Sequence, residues 1–151
     1  MRYFKHIKFN IFPSDCLVFL NYDIDDKEDI YKQLNKTIKH KSTLLNLIQS
    51  IDKANFSGNL GLTFVNGPYS VIIIDKFNID SVNDISTLLH ESLHVVFNVG
   101  RYVGFFHSEE SEEFFTYMTE FIFKEILNGY EKSYKEKHKS ISTGEPKNVS
   151  E

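Results

Sequence analysis

The chain has a single cysteine, Cys16, among 151 residues. No disulfide can close within it, and a thiolate zinc cluster within one chain is excluded. A lone cysteine reads as a small buried hydrophobe. A surplus of charge of one sign is also missing, since the formal net charge is −4. Bulk electrostatics therefore gives no reason to expect a nucleic acid or an anionic membrane as partner. No apolar stretch is long enough to span a bilayer. At the N-terminus, residues 1–9 alternate polar with apolar and offer no uninterrupted apolar stretch before Pro13-Ser14-Asp15. A soluble protein of the cytoplasm is the expectation. Internal repeats and a second apolar core are absent too, which leaves one domain.

What is present is aromatic mass, with Phe 14 and Tyr 8. That suits a packed core rather than disorder, and a chain of this size buries about two thirds of its unfolded surface. Residues 3–12 alternate as a strand does, Cys16 to Leu20 is a second short apolar run, and Pro13-Ser14-Asp15 supplies turn chemistry between them. Acidic residues from Asp23 to Asp29 open a helix with Ile30, Leu34 and Ile38 four apart. Leu44, Leu45, Ile48 and Ile51 carry a helical pattern on to about Lys53, as one bent helix or two. Residues 55–59 read as loop. Leu60, Leu62 and Phe64 then alternate, Asn66-Gly67-Pro68 turns the chain, and Tyr69 to Asp75 is a dense β-branched run, so a β-hairpin is expected. Beyond Gly129 apolar residues nearly vanish. Residues 1–129 are thus expected to form the domain, and 130–151 a fraying helical end with a charged, mobile tail. The expected fold class is α+β, a small β-sheet packed against helices.

The chain is organised around His90-Glu91-Ser92-Leu93-His94. Residues four apart on an α-helix lie one above the other, so both imidazoles can address one ion. Glu91, about 100° round the helix, can act as a base without being a ligand. This is the H-E-x-x-H zinc signature. With six His and twelve Glu in the chain, composition alone would yield such a match in roughly two chains of a hundred, so context has to decide. Ser81-Val82-Asn83-Asp84 reads as a capping box, with Ser81 as N-cap and Asp84 in place of the usual Glu or Gln. Val82, Ile85, Leu88, Leu89, Leu93, Val96 and Phe97 form an apolar stripe, and Thr87, His90, His94 and Asn98 a polar one. Gly100 sits where a C-cap glycine would. The motif thus falls mid-helix. Against it stands the plain alternative of two histidines on the solvent face of an amphipathic helix.

A catalytic zinc takes three protein ligands and keeps a fourth position open. Glu109, Glu110, Glu112 and Glu113 follow Ser108, a good N-cap, and precede a helix paved with Phe114, Phe115, Tyr117, Met118, Phe121, Ile122, Ile126 and Leu127. First-turn acids complement the helix dipole, but four exceed that need. A carboxylate at the start of the buried body is well placed to reach inward. Glu113 is the favoured third ligand and Glu112 the next, with Glu109, Glu110, Glu120 and His107 left open. Tyr117 and Glu120, four and seven residues past Glu113, are candidates to orient the imidazoles or to polarise a substrate carbonyl.

His90-Glu91-Ser92-Leu93-His94 followed by a glutamate on the next helix resembles the zincin metallopeptidases of the gluzincin type. The short form, with Glu112-Glu113-Phe114-Phe115-Thr116-Tyr117 about twenty residues on, is similar to small zincin-like proteins encoded by bacteriophages and mobile elements. For such a protein the compartment would be the host cytoplasm. The metzincin pattern does not fit, because Phe97 and Gly100 stand where it needs Gly and His. The likeness covers residues 60–127. It implies a zincin-like fold with the motif helix central, Zn²⁺ as cofactor and a peptide or protein substrate. It also implies that the Tyr69 to Asp75 strand is the sheet edge beside the cleft, where an extended peptide could pair. The expected function is zinc-dependent hydrolysis, first of all of a peptide bond, with His90, His94 and Glu113 as ligands and Glu91 moving the proton. The alternative is a non-catalytic zincin fold whose metal staples two helices of a binding or assembly component. The aromatic connection over 101–106 would then be its contact surface.

Overall fold

A computed structural model describes residues 1–23, 27–55 and 60–142. Residues 24–26, 56–59 and 143–151, where part of the acidic segment, a loop and the end of the tail are expected, lie outside the described residues. Strands β1 (Tyr3–Lys8) and β2 (Asp15–Leu20) form the expected antiparallel hairpin, with Ile7 opposite Cys16. Strands β3 (Leu62–Asn66) and β4 (Tyr69–Ile74) form the second. Its turn holds Gly67 at φ 56°, a left-handed conformation that glycine adopts without a Cβ clash. The hairpins join through parallel pairing of β2 with β4, Leu17 beside Val71, so the sheet order is β1-β2-β4-β3.

This order corrects one expectation. The strand from Tyr69 is interior, and β3 is the edge. The reason is burial: Val71, Ile72, Ile73 and Ile74 are sealed on both faces, which only an interior strand achieves. Alternation along the strands then divides the core in two. Cys16, Val18, Leu20, Ile72 and Ile74 pack on one side with helices α3 (Val82–Val103) and α4 (Glu112–Ser142). Leu17, Phe19, Val71 and Ile73 pack on the other with α1 (Lys27–Thr37) and α2 (Lys41–Lys53), which are two helices rather than one bent one. The α+β class holds, as helices on both faces of a four-stranded sheet. Among the described residues no helix is long and apolar enough to cross a membrane.

Gly100, expected as a C-cap, and Gly129 both lie inside helices. Helix α3 runs past Gly100 and is capped by Gly104 at φ 82°. Phe115 of α4 explains the difference, because a Cβ on Gly100 would lie 3.0 Å from its ring carbons. Helix α4 likewise continues through Gly129, and Tyr130 after it is buried. A Cβ on Gly129 would come within 2.0 Å of the Tyr3 hydroxyl. Each glycine gives up helix propensity to admit another element at close range.

Candidate metal centre

Helix α3 starts as the capping chemistry requires. The Ser81 hydroxyl accepts from the Asp84 amide at 3.3 Å. Asp84 does not close a box back onto Ser81; its carboxylate accepts from the Asn78 amide at 2.8 Å, tying in the incoming loop. The row facing the core is Leu88, Ser92, Val95, Val96 and Val99. Ser92 is tolerated there because its hydroxyl donates to the Leu88 carbonyl at 2.7 Å. The apolar stripe is therefore split. Leu89, Leu93 and Phe97 stay exposed and line a groove against α4.

His90 and His94 lie on the outer face with their Nε2 atoms 3.1 Å apart. Without an ion, one ring N–H donates to the other ring nitrogen. Two nitrogens at about 2.0–2.1 Å from a tetrahedral zinc lie about 3.3 Å apart. The two Nε2 atoms thus lie ~0.2 Å closer together than a shared zinc would set them.

Glu91 points to the β3 side and is 5% exposed. The Thr63 hydroxyl donates to its Oε2 at 2.6 Å and lies 3.2 Å from its backbone carbonyl. The backbone of β3's approach also presses on the carboxylate stem, since a Cβ on Gly61 would sit 3.1 Å from Glu91 Cγ. Two turns on, the Asn98 amide donates to the Gly67 carbonyl at 3.2 Å and the Ser70 hydroxyl at 3.1 Å. Asn98 is thus a buried pin between α3 and the β3–β4 turn, not part of an open polar stripe. Between α3 and β3 runs a cleft of about 320 Å³ lined by Thr63, Val65, His90, Glu91, His94 and Arg101 among others. It continues towards the start of α3 past Ser86 and Thr87.

The third ligand is where sequence and structure part. Among the described residues no third His, Cys, Asp or Glu joins the two imidazoles in a group able to hold a metal. The row of α4 that meets α3 is Glu112, Phe115, Thr116, Thr119 and Glu120; with Leu89, Leu93, Phe97 and His107 it lines a groove of about 500 Å³. Glu113 is exposed and turned about 100° from Glu112 round the helix, off that row. Tyr117 is turned further. It is 65% exposed and lines a separate groove with Phe9, Ile11, Phe12 and Phe121 at the β1–β2 turn. It does not line the imidazole cleft. Phe115 decides this: packed on Gly100, it sets the rotation of α4, and Tyr117 lies about 200° round from it. Glu120 pairs with Lys124 one turn on, which leaves Glu112 as the other carboxylate of the groove. Glu109 and Glu110 sit in an exposed 3₁₀ turn.

Two residues of the cleft escaped the sequence reading. Thr63 looked like the solvent-facing partner of Leu62 and Phe64, and only the docking of α3 on β3 turns it into a donor. Arg101 could have been found, because seven residues past His94 returns within about 20° of the same helix face. The chain matches no protein-family model, no curated protein and no solved structure.

Proposed function

We propose that the protein is a zinc-dependent hydrolase acting on peptide bonds, with the cleft between α3 and β3 as its active site. The observation that carries this reading is the pair of Nε2 atoms 3.1 Å apart beside a carboxylate that is buried and held by one hydroxyl. Burying a carboxylate is costly, and in this position it has a use. His90 and His94 would hold the ion, and Glu112, which faces α3 in the neighbouring groove rather than in the imidazole cleft, is favoured over Glu113 as the third ligand. Zinc bound there supplies Lewis acidity, which polarises a carbonyl and makes water acidic near neutral pH. Thr63 occupies Oε2 of Glu91, which leaves Oε1 to accept a proton from water and pass it to the leaving amine. The edge strand β3 offers backbone groups to an extended peptide lying in the cleft. A reducing compartment such as the cytoplasm suits the chain, whose one thiol, Cys16, is buried and free.

Metal content and a peptide library test this together. About one zinc per chain is expected, lost in the double variant His90→Ala/His94→Ala and weakened more by Glu112→Gln than by Glu113→Gln. Glu91→Gln should keep the metal and cleave nothing. Zinc that survives loss of both imidazoles, or full activity in Glu91→Gln, refutes the proposal.

The exposed aromatic side chains that follow Gly100 favour a second reading, a non-catalytic binding or assembly component whose metal staples two helices. Its contact surface would be Tyr102, Phe105 and Phe106, all exposed. A chelator that lowers the melting temperature steeply, in a protein that cleaves no peptide, supports that reading instead.

A further inference from the structure

We infer that Arg101 is the carboxylate-recognition residue of the cleft, selecting ligands that carry a C-terminal carboxylate or an Asp or Glu side chain at a fixed distance from the imidazole pair. This rests on the reading of the cleft as a peptide site.

Arg101 lies two turns past His94 on the same face of α3 and lines the same cleft. The helix rises about 10 Å between them, and side chains lean towards the helix N-terminus, so the guanidinium leans back towards His94. A cation in the last turn complements the helix dipole whichever face it occupies. The dipole therefore does not explain why this one faces the cleft. Arg101 forms no ion pair among the described residues, a trait it shares with exposed lysines such as Lys32 and Lys76, but it is the one Lys or Arg among the residues that line the cleft. Glu91, the carboxylate of the cleft itself, is held by Thr63. The cleft thus holds a planar fork of five donors beside Leu62 and Val65, and its own carboxylate, Glu91, forms no ion pair with that fork. Its reach from the imidazoles corresponds to two or three residues of extended chain at about 3.3 Å each. The selected carboxylate therefore lies two or three residues from the bond held at His90 and His94.

The test titrates short peptides of one sequence into the full chain, chelator-treated and zinc-loaded, followed by the Arg101 Nε–H signal in ¹⁵N NMR. One pair differs by a free or amidated C-terminus, and a second set places Glu or Gln at successive positions. A carboxylate at one position should bind about tenfold tighter than its amide counterpart, as a charge-assisted pair allows. It should also move the Arg101 signal, and the preference should shrink at high salt. Arg101→Gln should abolish the preference, and Arg101→Lys should keep part of it, because charge survives but the fork does not. The two peptide sets distinguish a terminal from a side-chain carboxylate. Equal affinity for carboxylate and amide, binding of neither at millimolar concentration, or an undiminished preference in Arg101→Gln overturns the inference. Failure of the zinc reading would show separately, as absent metal, without altering the comparison made on the chelator-treated chain.

Discussion

Replacing Thr63 by Val keeps the β-branched shape that suits β3 and removes one hydroxyl. That hydroxyl donates to Glu91 Oε2 at 2.6 Å, and Glu91 is 5% exposed, so water is poorly placed to replace it. A hydrogen bond to a charged group contributes about 1.5–3 kcal/mol, and the carboxylate left behind stays buried, so a loss of about 2–3 kcal/mol is expected. For a chain of this length each kcal/mol moves the melting temperature by about 2–4 °C. Thr63→Val should therefore melt about 4–12 °C lower at neutral pH, followed by circular dichroism. The control is a double-mutant cycle with Glu91→Gln. A neutral amide oxygen accepts more weakly, so the same change in that background should cost about 1 kcal/mol, leaving a coupling of about 1–2 kcal/mol. Thr63→Ser, which keeps the donor, should recover most of the loss. Equal losses in both backgrounds, or a loss under about 0.5 kcal/mol in the parent, would refute the clamp on Glu91.

Three further outcomes follow from the packing. Gly129→Ala gains about 1 kcal/mol of helix propensity but drives a methyl into the Tyr3 hydroxyl; a net loss of about 1–2 kcal/mol is expected by urea unfolding, smaller in a Tyr3→Phe background. Asn98→Ala removes both donations to the β3–β4 turn and leaves the buried Ser70 hydroxyl without that partner, so about 1–3 kcal/mol should be lost in the same assay. The Tyr3 phenol is pushed up to about 12, first by burial and then by Glu125. Its unfolded value is near 10, so the native state holds the proton longer than the unfolded chain does. Stability should fall as pH rises from about 10 to 12, and Tyr3→Phe should flatten that slope in denaturant titrations at stepped pH.

Much of the fold could be read from local pattern. Both hairpins, the start of α3 at Ser81 and the proximity of His90 to His94 follow from residues a few positions apart. The readings that failed share one cause. Gly100 reads as a helix end because glycine commonly caps helices, yet it meets the ring of a distant residue, Phe115. The resemblance puts the strand from Tyr69 at the edge, whereas its density of β-branched residues marks an interior strand.

By itself the sequence determined which segments coil and which extend, and it placed two imidazoles on one helical face. These are properties of a single stretch of chain, set by periods of 3.6 and 2 residues. Only the tertiary structure decided which strand borders the cleft, that Thr63 holds Glu91, and that α4 turns Glu112 towards α3 while Glu113 and Tyr117 face elsewhere. Those outcomes depend on how one element is rotated against another. That rotation is set by contacts such as Phe115 on Gly100, whose partners lie too far apart in the chain for any local pattern to record.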